Sequence, residues 1–309
     1  MALLLIRNDK NYEPWLKAIK KIDSEFPVFT PKSLKNKDDV KMILTWKAPH
    51  GSFEGYKNVQ VIGSLGAGAD HLFEDPSLPE DIKMTRIVDE NLIGDMQEFV
   101  LALALNSIKN LNNYASLQNE HTWKPIPYKR APNVTVGIMG LGVLGQTVAK
   151  TLDKNGFKLT GWANSKKDID GLESFADDTE LDDFLATAEI LVCLLPLTEK
   201  TSGILNKELF DKLPKSAYLI NVARGGHLVD EDLLDALKSG KLSGAALDVF
   251  HTEPLPKGHP FWENDKILIT PHTASKSDPA SIADQIVDNY NRLKNGEELK
   301  NTVSRDKNY

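Results

Sequence analysis

The chain has one cysteine, Cys193, among 309 residues. A lone thiol cannot close an internal disulfide, and its place in the apolar run EILVCLLP (189–196) reads as buried and inert. That usage fits a reducing, cytoplasmic setting. No apolar run approaches the roughly 20 residues needed to cross a bilayer, so no membrane role is expected. The opening MALLLIRNDK offers a short apolar run before Arg7 and no small-residue cleavage site, and it reads as a first strand, not a signal peptide. Basic residues cluster no further than pairs such as Lys166-Lys167, and the net charge is −7, which argues against a nucleic-acid surface. G-x-S-x-G, H-E-x-x-H and paired cysteines are all missing, which speaks against an esterase-type nucleophile and against a metal centre.

What remains is ordinary in bulk, with 41% apolar and 26% charged residues, and long enough for two domains. Over the first hundred residues the runs LLLIRN, MILTW, VQVIGSL and RIVDE read as strands, with helical patterns such as EPWLKAIKKI between some of them. Alternation of this kind predicts an α/β unit with a mostly parallel sheet. A long helix is expected from Gly94 to Asn119, and its stretch Phe99–Leu105 (FVLALAL) is apolar on every side, as in a helix buried all round or lying at a subunit interface. A second alternation predicts strands at 134–139, 157–163, 189–195, 217–223, 244–250 and 267–271, the pattern of a doubly wound sheet. A last helix is expected near Pro279–Asn295. The fold class is therefore α/β, with two Rossmann-like or flavodoxin-like domains. Residues 1–98 with 279–309 form one, and 99–278 form a second inserted in it.

The stretch GIMGLGVLG carries Gly140-x-Gly142-x-x-Gly145 directly after a strand and at the start of a helical pattern. The first glycine permits the turn, the second lets backbone amides reach a pyrophosphate, and the third lets helix and strand pack closely. Gly140, Leu141, Gly142, Val143, Leu144 and Gly145 thus form the expected dinucleotide loop, with the helix N-terminus favouring phosphate. After the next strand, an NAD site usually offers an acid to the ribose 2′-hydroxyl. Here Asn164, Ser165 and Lys166 stand instead, a set that would accept a 2′-phosphate, so NADP is preferred over NAD.

Three ionisable residues follow strands of the same sheet: Arg224 after AYLINVA, Glu253 shortly after ALDVF, and His272 after ILITP. Ligands in open α/β sheets sit beyond the carboxyl ends of the strands. Reduction of a 2-oxo acid needs a hydride at the carbonyl carbon and a proton at its oxygen. A histidine suits the proton, a carboxylate orients the ring and balances its charge, and an arginine grips the substrate carboxylate with two parallel bonds. In the first domain, SLGAGADHL ends a strand with Gly66-Ala67-Gly68, whose amides could cradle an anion. Trp46, which closes MILTW, is a candidate pocket wall. His71 is the spectator histidine nearest to that glycine turn in sequence. His50, His121, His227, His251 and His259 are weaker candidates.

These pieces together, GIMGLGVLG, LLPLT, INVARGG, LDVFHTEPLP and ITPH in this order, resemble the D-2-hydroxyacid dehydrogenase family over nearly the whole chain. SLGAGADHL, LTWKAP and MQEFVLALAL look most similar to its glyoxylate/hydroxypyruvate reductase branch. The resemblance implies that Arg224 binds substrate, that His272 is the acid/base and that Glu253 pairs with it. It also implies that Asp248 meets the nicotinamide carboxamide, that Pro196 lines the cofactor cleft, and that Trp46, Ala67 and Gly68 contact substrate. A homodimer joined through the cofactor domain is implied as well. One departure is that Asn164 stands where an arginine for the 2′-phosphate is common. Alternatives are a dehydrogenase for a bulkier D-2-hydroxy acid and a non-enzymatic dinucleotide sensor.

Overall fold

The computed structural model describes residues 1–305, so the last four residues of the expected 279–309 segment lie outside the described residues. Two compact units emerge, Met1–Leu92 together with the segment from Lys276 onward, and Ile93–Ser275. Residues 93–98 belong to the second unit and 276–278 to the first, the reverse of the placement the sequence pattern suggested. The helix Glu90–Lys109 runs through the first boundary without a break, so no turn marks it in the sequence.

The first unit opens with β1 (Ala2–Arg7), α1 (Glu13–Ile22), β2 (Val28–Phe29), β3 (Val40–Trp46), β4 (Val61–Ser64), α2 (Asp70–Phe73) and β5 (Lys83–Thr85). Its five strands are all parallel in the order β2-β1-β3-β4-β5, the flavodoxin-like winding. Leu3, Leu4 and Leu5 are fully buried, as expected of a strand covered on both faces. RIVDE (86–90) is not a strand, because the ladder ends at Thr85. Beyond it, the Val88 amide donates to Gln285 Oε1 (3.2 Å) and the Val88 carbonyl accepts from Gln285 Nε2 (2.8 Å), so a side chain replaces a neighbouring strand.

The helix expected over Gly94–Asn119 is two helices, α3 (Glu90–Lys109) and α4 (Leu111–Asn119). They part at Asn110, whose φ of +58° is left-handed, a conformation asparagine tolerates better than most residues. Within Phe99–Leu105, Val100, Leu103 and Ala104 are buried, while Phe99, Leu101 and Leu105 are half-buried and Ala102 is exposed.

The second unit continues with β6 (Thr135–Met139), α5 (Val143–Lys154), β7 (Lys158–Ala163), β8 (Leu172–Ala176), α6 (Leu181–Thr187), β9 (Ile190–Cys193), α7 (Lys207–Lys212), β10 (Ala217–Asn221), α8 (Asp230–Ser239), β11 (Leu242–Leu247) and β12 (Ile267–Ile269). All seven strands are parallel, ordered β12-β11-β10-β9-β6-β7-β8. The strand β8 is absent from the sequence expectation. Its sequence LESFA carries Glu173 and Ser174 and lies at the sheet edge, where an unbroken apolar run is not required. Strand order reverses direction between β6 and β9, which is where ligands bind in such sheets. The chain then ends its helices with α9 (Pro279–Asn295), opened by Asp278, whose side chain accepts from Ala280 N, and closed by Gly296 at φ +73°. It belongs to the first unit, where Tyr290 Oη donates to Met1 O (2.7 Å) and packs its ring 4.7 Å from that of Phe26.

Candidate active site

The dinucleotide loop lies at the β6/β9 reversal. Gly140 has φ +102°, and a Cβ there would lie 2.8 Å from Leu194 O, just beyond β9. At Gly145 a Cβ would lie 1.9 Å from Gly140 O, so this close strand–helix approach excludes any side chain. By contrast, a Cβ at Gly142 would meet nothing within 4 Å. Gly142 and Val143 are exposed at the start of α5, while Leu141 is buried and Leu144 half-buried. Backbone that turns tightly and then faces open space at a helix N-terminus fits a dinucleotide pyrophosphate.

Asn164, Ser165 and Lys166 directly follow β7 and are all exposed. Lys166 Nζ is paired with Glu180 Oε1 at 2.8 Å, an interaction that holds the ammonium charged by raising its pKa. Lys167 turns aside, with Nζ donating to Ser165 Oγ (3.1 Å) and its amide to Ser174 Oγ (2.9 Å). Pro196 lies past β9, and its carbonyl accepts from Thr201 Oγ1 (2.7 Å). The neighbouring Cys193 is fully buried, and desolvation pushes its thiol up to about 12, which removes it as a nucleophile near neutral pH.

The strands end earlier than the sequence pattern indicates, so the three ionisable residues stand on loops past β10, β11 and β12 rather than at the strand ends themselves. His272 Nδ1 lies 2.8 Å from Glu253 Oε2 and 3.0 Å from Oε1. Glu253 Oε1 also accepts from the Phe250 amide (3.2 Å), which fixes the carboxylate to its own loop. His272 has φ +50°, a left-handed conformation uncommon for any residue other than glycine. Its amide reaches both Asp248 O (2.8 Å) and Thr270 O (3.0 Å), and these bonds fix the turn.

Asp248 is almost fully buried, and both of its carboxylate oxygens take donors from the histidine's own segment. Oδ1 accepts from Thr270 Oγ1 (2.6 Å) and Thr273 N (2.9 Å), and Oδ2 accepts from Ala274 N (2.8 Å). The acid assigned to the cofactor by resemblance thus clamps the loop that presents His272.

Arg224 opens a 3₁₀ turn at Gly225–His227 and is half-buried. Its Nη1 donates to Ala223 O (2.7 Å), which orients the guanidinium. Its carbonyl accepts from Asn221 Nδ2 (3.0 Å). A Cβ at Gly225 would lie 2.0 Å from the Phe250 carbonyl carbon, so the arginine turn is pressed against the loop that leads to Glu253. The residue whose importance the sequence understated is His227. It is fully buried, with Nδ1 3.1 Å from Arg224 O and Nε2 3.3 Å from Pro196 O. The ring joins the arginine turn to the loop after β9. The only sequence signal for it was its position two glycines beyond Arg224.

In the first unit, Trp46 and the 66–68 turn are neighbours. A Cβ at Gly66 would strike Trp46 Cζ3 at 2.3 Å, and the Trp46 ring meets the His71 ring edge-on with centroids 5.1 Å apart. Ser64 Oγ donates to Gly68 O (2.6 Å) and Arg86 Nη1 donates to Ala67 O (3.4 Å), so both carbonyls are tied back within the unit. Among the described residues, no group of three or more His, Cys, Asp or Glu could hold a metal ion, and no helix is long and apolar enough to cross a membrane.

A family model described as D-isomer specific 2-hydroxyacid dehydrogenase, NAD binding domain, matches residues 101–274. The chain is 38% identical over 294 residues to glyoxylate/hydroxypyruvate reductase A of Serratia proteamaculans, covering 93% of each chain. Among solved structures, it is similar to a D-isomer specific 2-hydroxyacid dehydrogenase from Xanthobacter autotrophicus in complex with NADPH and MES. That likeness has a TM-score of 0.94 at 35% identity and covers 100% of this chain and 99% of the other. It is also similar to an NADPH-dependent glyoxylate/hydroxypyruvate reductase from Sinorhizobium meliloti in complex with NADP and sulfate, with a TM-score of 0.92 at 34% identity over 100% and 99% of the two chains.

Proposed function

The chain belongs to the D-isomer specific 2-hydroxyacid dehydrogenase family, and from that premise we propose that it reduces small 2-oxo acids, such as glyoxylate and hydroxypyruvate, to 2-hydroxy acids, with NADPH preferred over NADH. The observation that carries this reading is the His272–Glu253 pair, with Nδ1 on both carboxylate oxygens at 2.8 and 3.0 Å. NADPH, when bound, supplies the hydride. The backbone at Gly140–Gly145 and the N-terminus of α5 hold the pyrophosphate, with Leu141, Val143, Leu144 and Pro196 as further cofactor contacts.

The protein's own groups do the rest. Arg224 grips the substrate carboxylate and draws the carbonyl into line. Glu253 holds the imidazole by Nδ1, which turns Nε2 towards the reacting oxygen as the proton-carrying end. Asp248 supports this through its bonds to Thr270, Thr273 and Ala274, in addition to its assigned contact with the nicotinamide carboxamide. Trp46, Ala67 and Gly68 are assigned to substrate. The close packing of Trp46 on the Gly66 turn and the tied-back carbonyls of Ala67 and Gly68 support that assignment. The unit Ile93–Ser275 is read as the cofactor domain and the other as the substrate domain.

Support for NADPH comes from the absence of an acid directly after β7, where Asn164, Ser165 and Lys166 stand, and from relatives whose structures contain NADPH or NADP. A homodimer is proposed from the large side chains left exposed on α4 and in the loop after it, where Trp123 is fully exposed and Leu111 and Tyr128 are exposed as well. The single buried, unpaired-by-disulfide Cys193 is compatible with a reducing cytoplasm.

The test is NADPH oxidation over a panel of 2-oxo acids. Turnover with glyoxylate and hydroxypyruvate supports the proposal. A preference for phenylpyruvate would redirect it to bulkier acids, and cofactor binding with no turnover across the panel would replace it with a sensing role.

A further inference from the structure

The loop after β7 contains a charge arrangement that the family reading does not account for. Asn164 stands where an arginine would carry the 2′-phosphate, which leaves Lys166 as the cation nearest the end of the strand. Lys166 is not a simple free ammonium. Glu180, the residue before α6, takes the Ala176 amide on Oε2 at 2.7 Å and Lys166 Nζ on Oε1 at 2.8 Å. The backbone bond at the end of β8 anchors the carboxylate, so the lysine is drawn to a fixed acid. Asp177 lies close enough to add to the field on Lys166. Lys167 does not compensate, because its ammonium is directed to Ser165 Oγ at 3.1 Å.

We propose that Glu180 is a specificity-determining residue that limits the preference for the 2′-phosphorylated cofactor by neutralising Lys166 at the end of β7. This rests on the reading of Gly140–Gly145 as a dinucleotide site, since the adenine ribose then lies at the end of β7. A 2′-phosphate carries about −1.5 to −2 charges near neutral pH. It meets a lysine whose charge is already offset by one carboxylate, with a second acid nearby. The 2′-hydroxyl of NADH is neutral and indifferent to that balance. Removing the Glu180 charge therefore strengthens binding of the phosphorylated ribose alone. A glutamine at 180 keeps a carbonyl for the Ala176 amide, and it removes the charge and puts an NH₂ in place of the oxygen that takes Lys166. Because Lys166 is exposed, at 65% of its side chain, and Glu180 is only half-buried, the effect is modest and screened by salt.

Isothermal titration of the full-length chain with 2′,5′-ADP and with 5′-AMP tests this without requiring turnover. Glu180→Gln is expected to tighten 2′,5′-ADP roughly 1.5- to fivefold, the scale of exposed charge interactions, and to leave 5′-AMP unchanged. The gain should shrink at high salt. Lys166→Gln should weaken 2′,5′-ADP and leave 5′-AMP unchanged, which provides a second arm that does not alter Glu180. An unchanged ratio of the two affinities in Glu180→Gln, or weaker binding of 2′,5′-ADP, would overturn the proposal. If 5′-AMP binds normally in that case, the dinucleotide reading stands and only the role of Glu180 falls. If neither nucleotide binds the wild-type chain, both fall together.

Discussion

Asp248 Oδ2 accepts the Ala274 amide at 2.8 Å while its Oδ1 accepts from Thr273 N at 2.9 Å, so one buried carboxylate grips the chain just beyond His272. The same Oδ1 takes Thr270 Oγ1 at 2.6 Å on the other side. This clamp explains how His272 keeps its left-handed backbone at φ +50°, which an unsupported loop would relax. Asp248→Asn retains one acceptor oxygen and turns an NH₂ towards backbone N–H groups. A buried donor left without its acceptor costs about 1–3 kcal/mol. The variant is therefore expected to lose that much stability in denaturant melts and to lose kcat more than it raises KM for NADPH. Wild-type stability and kcat together would remove the clamp from the account.

His272→Ala should lower kcat by roughly 10²–10⁴, the range for a missing general acid. Glu253→Gln should cost less, because the imidazole remains and loses only its bond to a charged partner and its fixed orientation. The order of the two effects, measured by steady-state NADPH oxidation, is the diagnostic. If Glu253→Gln proved as severe as His272→Ala, the carboxylate would have to touch the reacting atoms itself.

Arg224→Lys keeps the charge and removes the planar fork. Its expected signature is a roughly ten- to hundredfold fall in kcat/KM for the 2-oxo acid, on the scale of a charge-assisted hydrogen bond, with the KM for NADPH near wild type. Parallel losses in both parameters would mean that the substitution disturbs the turn at Gly225–His227, not the substrate contact.

The parts of the fold that are legible in sequence are those with a local physical signature. The Gly140–Gly145 loop is one, since its first and last glycines answer steric demands that the structure displays, the 2.8 Å approach to Leu194 O at Gly140 and the 1.9 Å approach to Gly140 O at Gly145, while Gly142 faces open space. The helix Pro279–Asn295 is another, framed by Asp278, Pro279 and Gly296. The strand β8 escaped because an edge strand tolerates Glu173 and Ser174. The α3/α4 break escaped because Asn110 looks like any polar helix residue until its φ is known. The candidate site residues Arg224, Glu253 and His272 stand out in the sequence by type and order, but the contacts that hold their loops do not. His227 and Asp248 make contacts between segments 22 or more residues apart, as in the Asp248–Thr270 bond, and Glu180 reaches Lys166 across a loop. No sequence period encodes such contacts.

The exposed surface around α4 gives a prediction about assembly. Trp123 is fully exposed, and Tyr128 lies under Lys109 Nζ at 4.4 Å from its ring. Large aromatics left in water are costly unless a partner covers them, and they often carry much of the energy of an interface. Sedimentation velocity should find a dimer for the wild-type chain and a concentration-dependent shift towards monomer for Trp123→Ala. A wild-type monomer at micromolar concentration would dismiss the dimer, and an unchanged dimer in the variant would place the interface elsewhere.

Gly225 presses the loop of Arg224 against the loop that leads to Glu253, the two on which the proposed chemistry depends. A Cβ there would stand 2.0 Å from the Phe250 carbonyl carbon and 2.4 Å from His251 N, both backbone atoms that cannot rotate away. Gly225→Ala must therefore push the 250–253 segment or the Arg224 turn out of place. Overpacking of this kind costs about 1–3 kcal/mol, and the displaced segment is the one whose Phe250 amide fixes Glu253. The variant should melt earlier and lose kcat/KM for the 2-oxo acid, yet bind 5′-AMP as the wild type does, since the Gly140–Gly145 loop lies on other strands. Gly226→Ala is the control, because the nearest atom to its Cβ would be in the Leu197 side chain at 3.0 Å, and a flexible leucine can yield. Equal damage from both substitutions would show that the turn is intolerant as a whole and that the Phe250 contact has no special part in it.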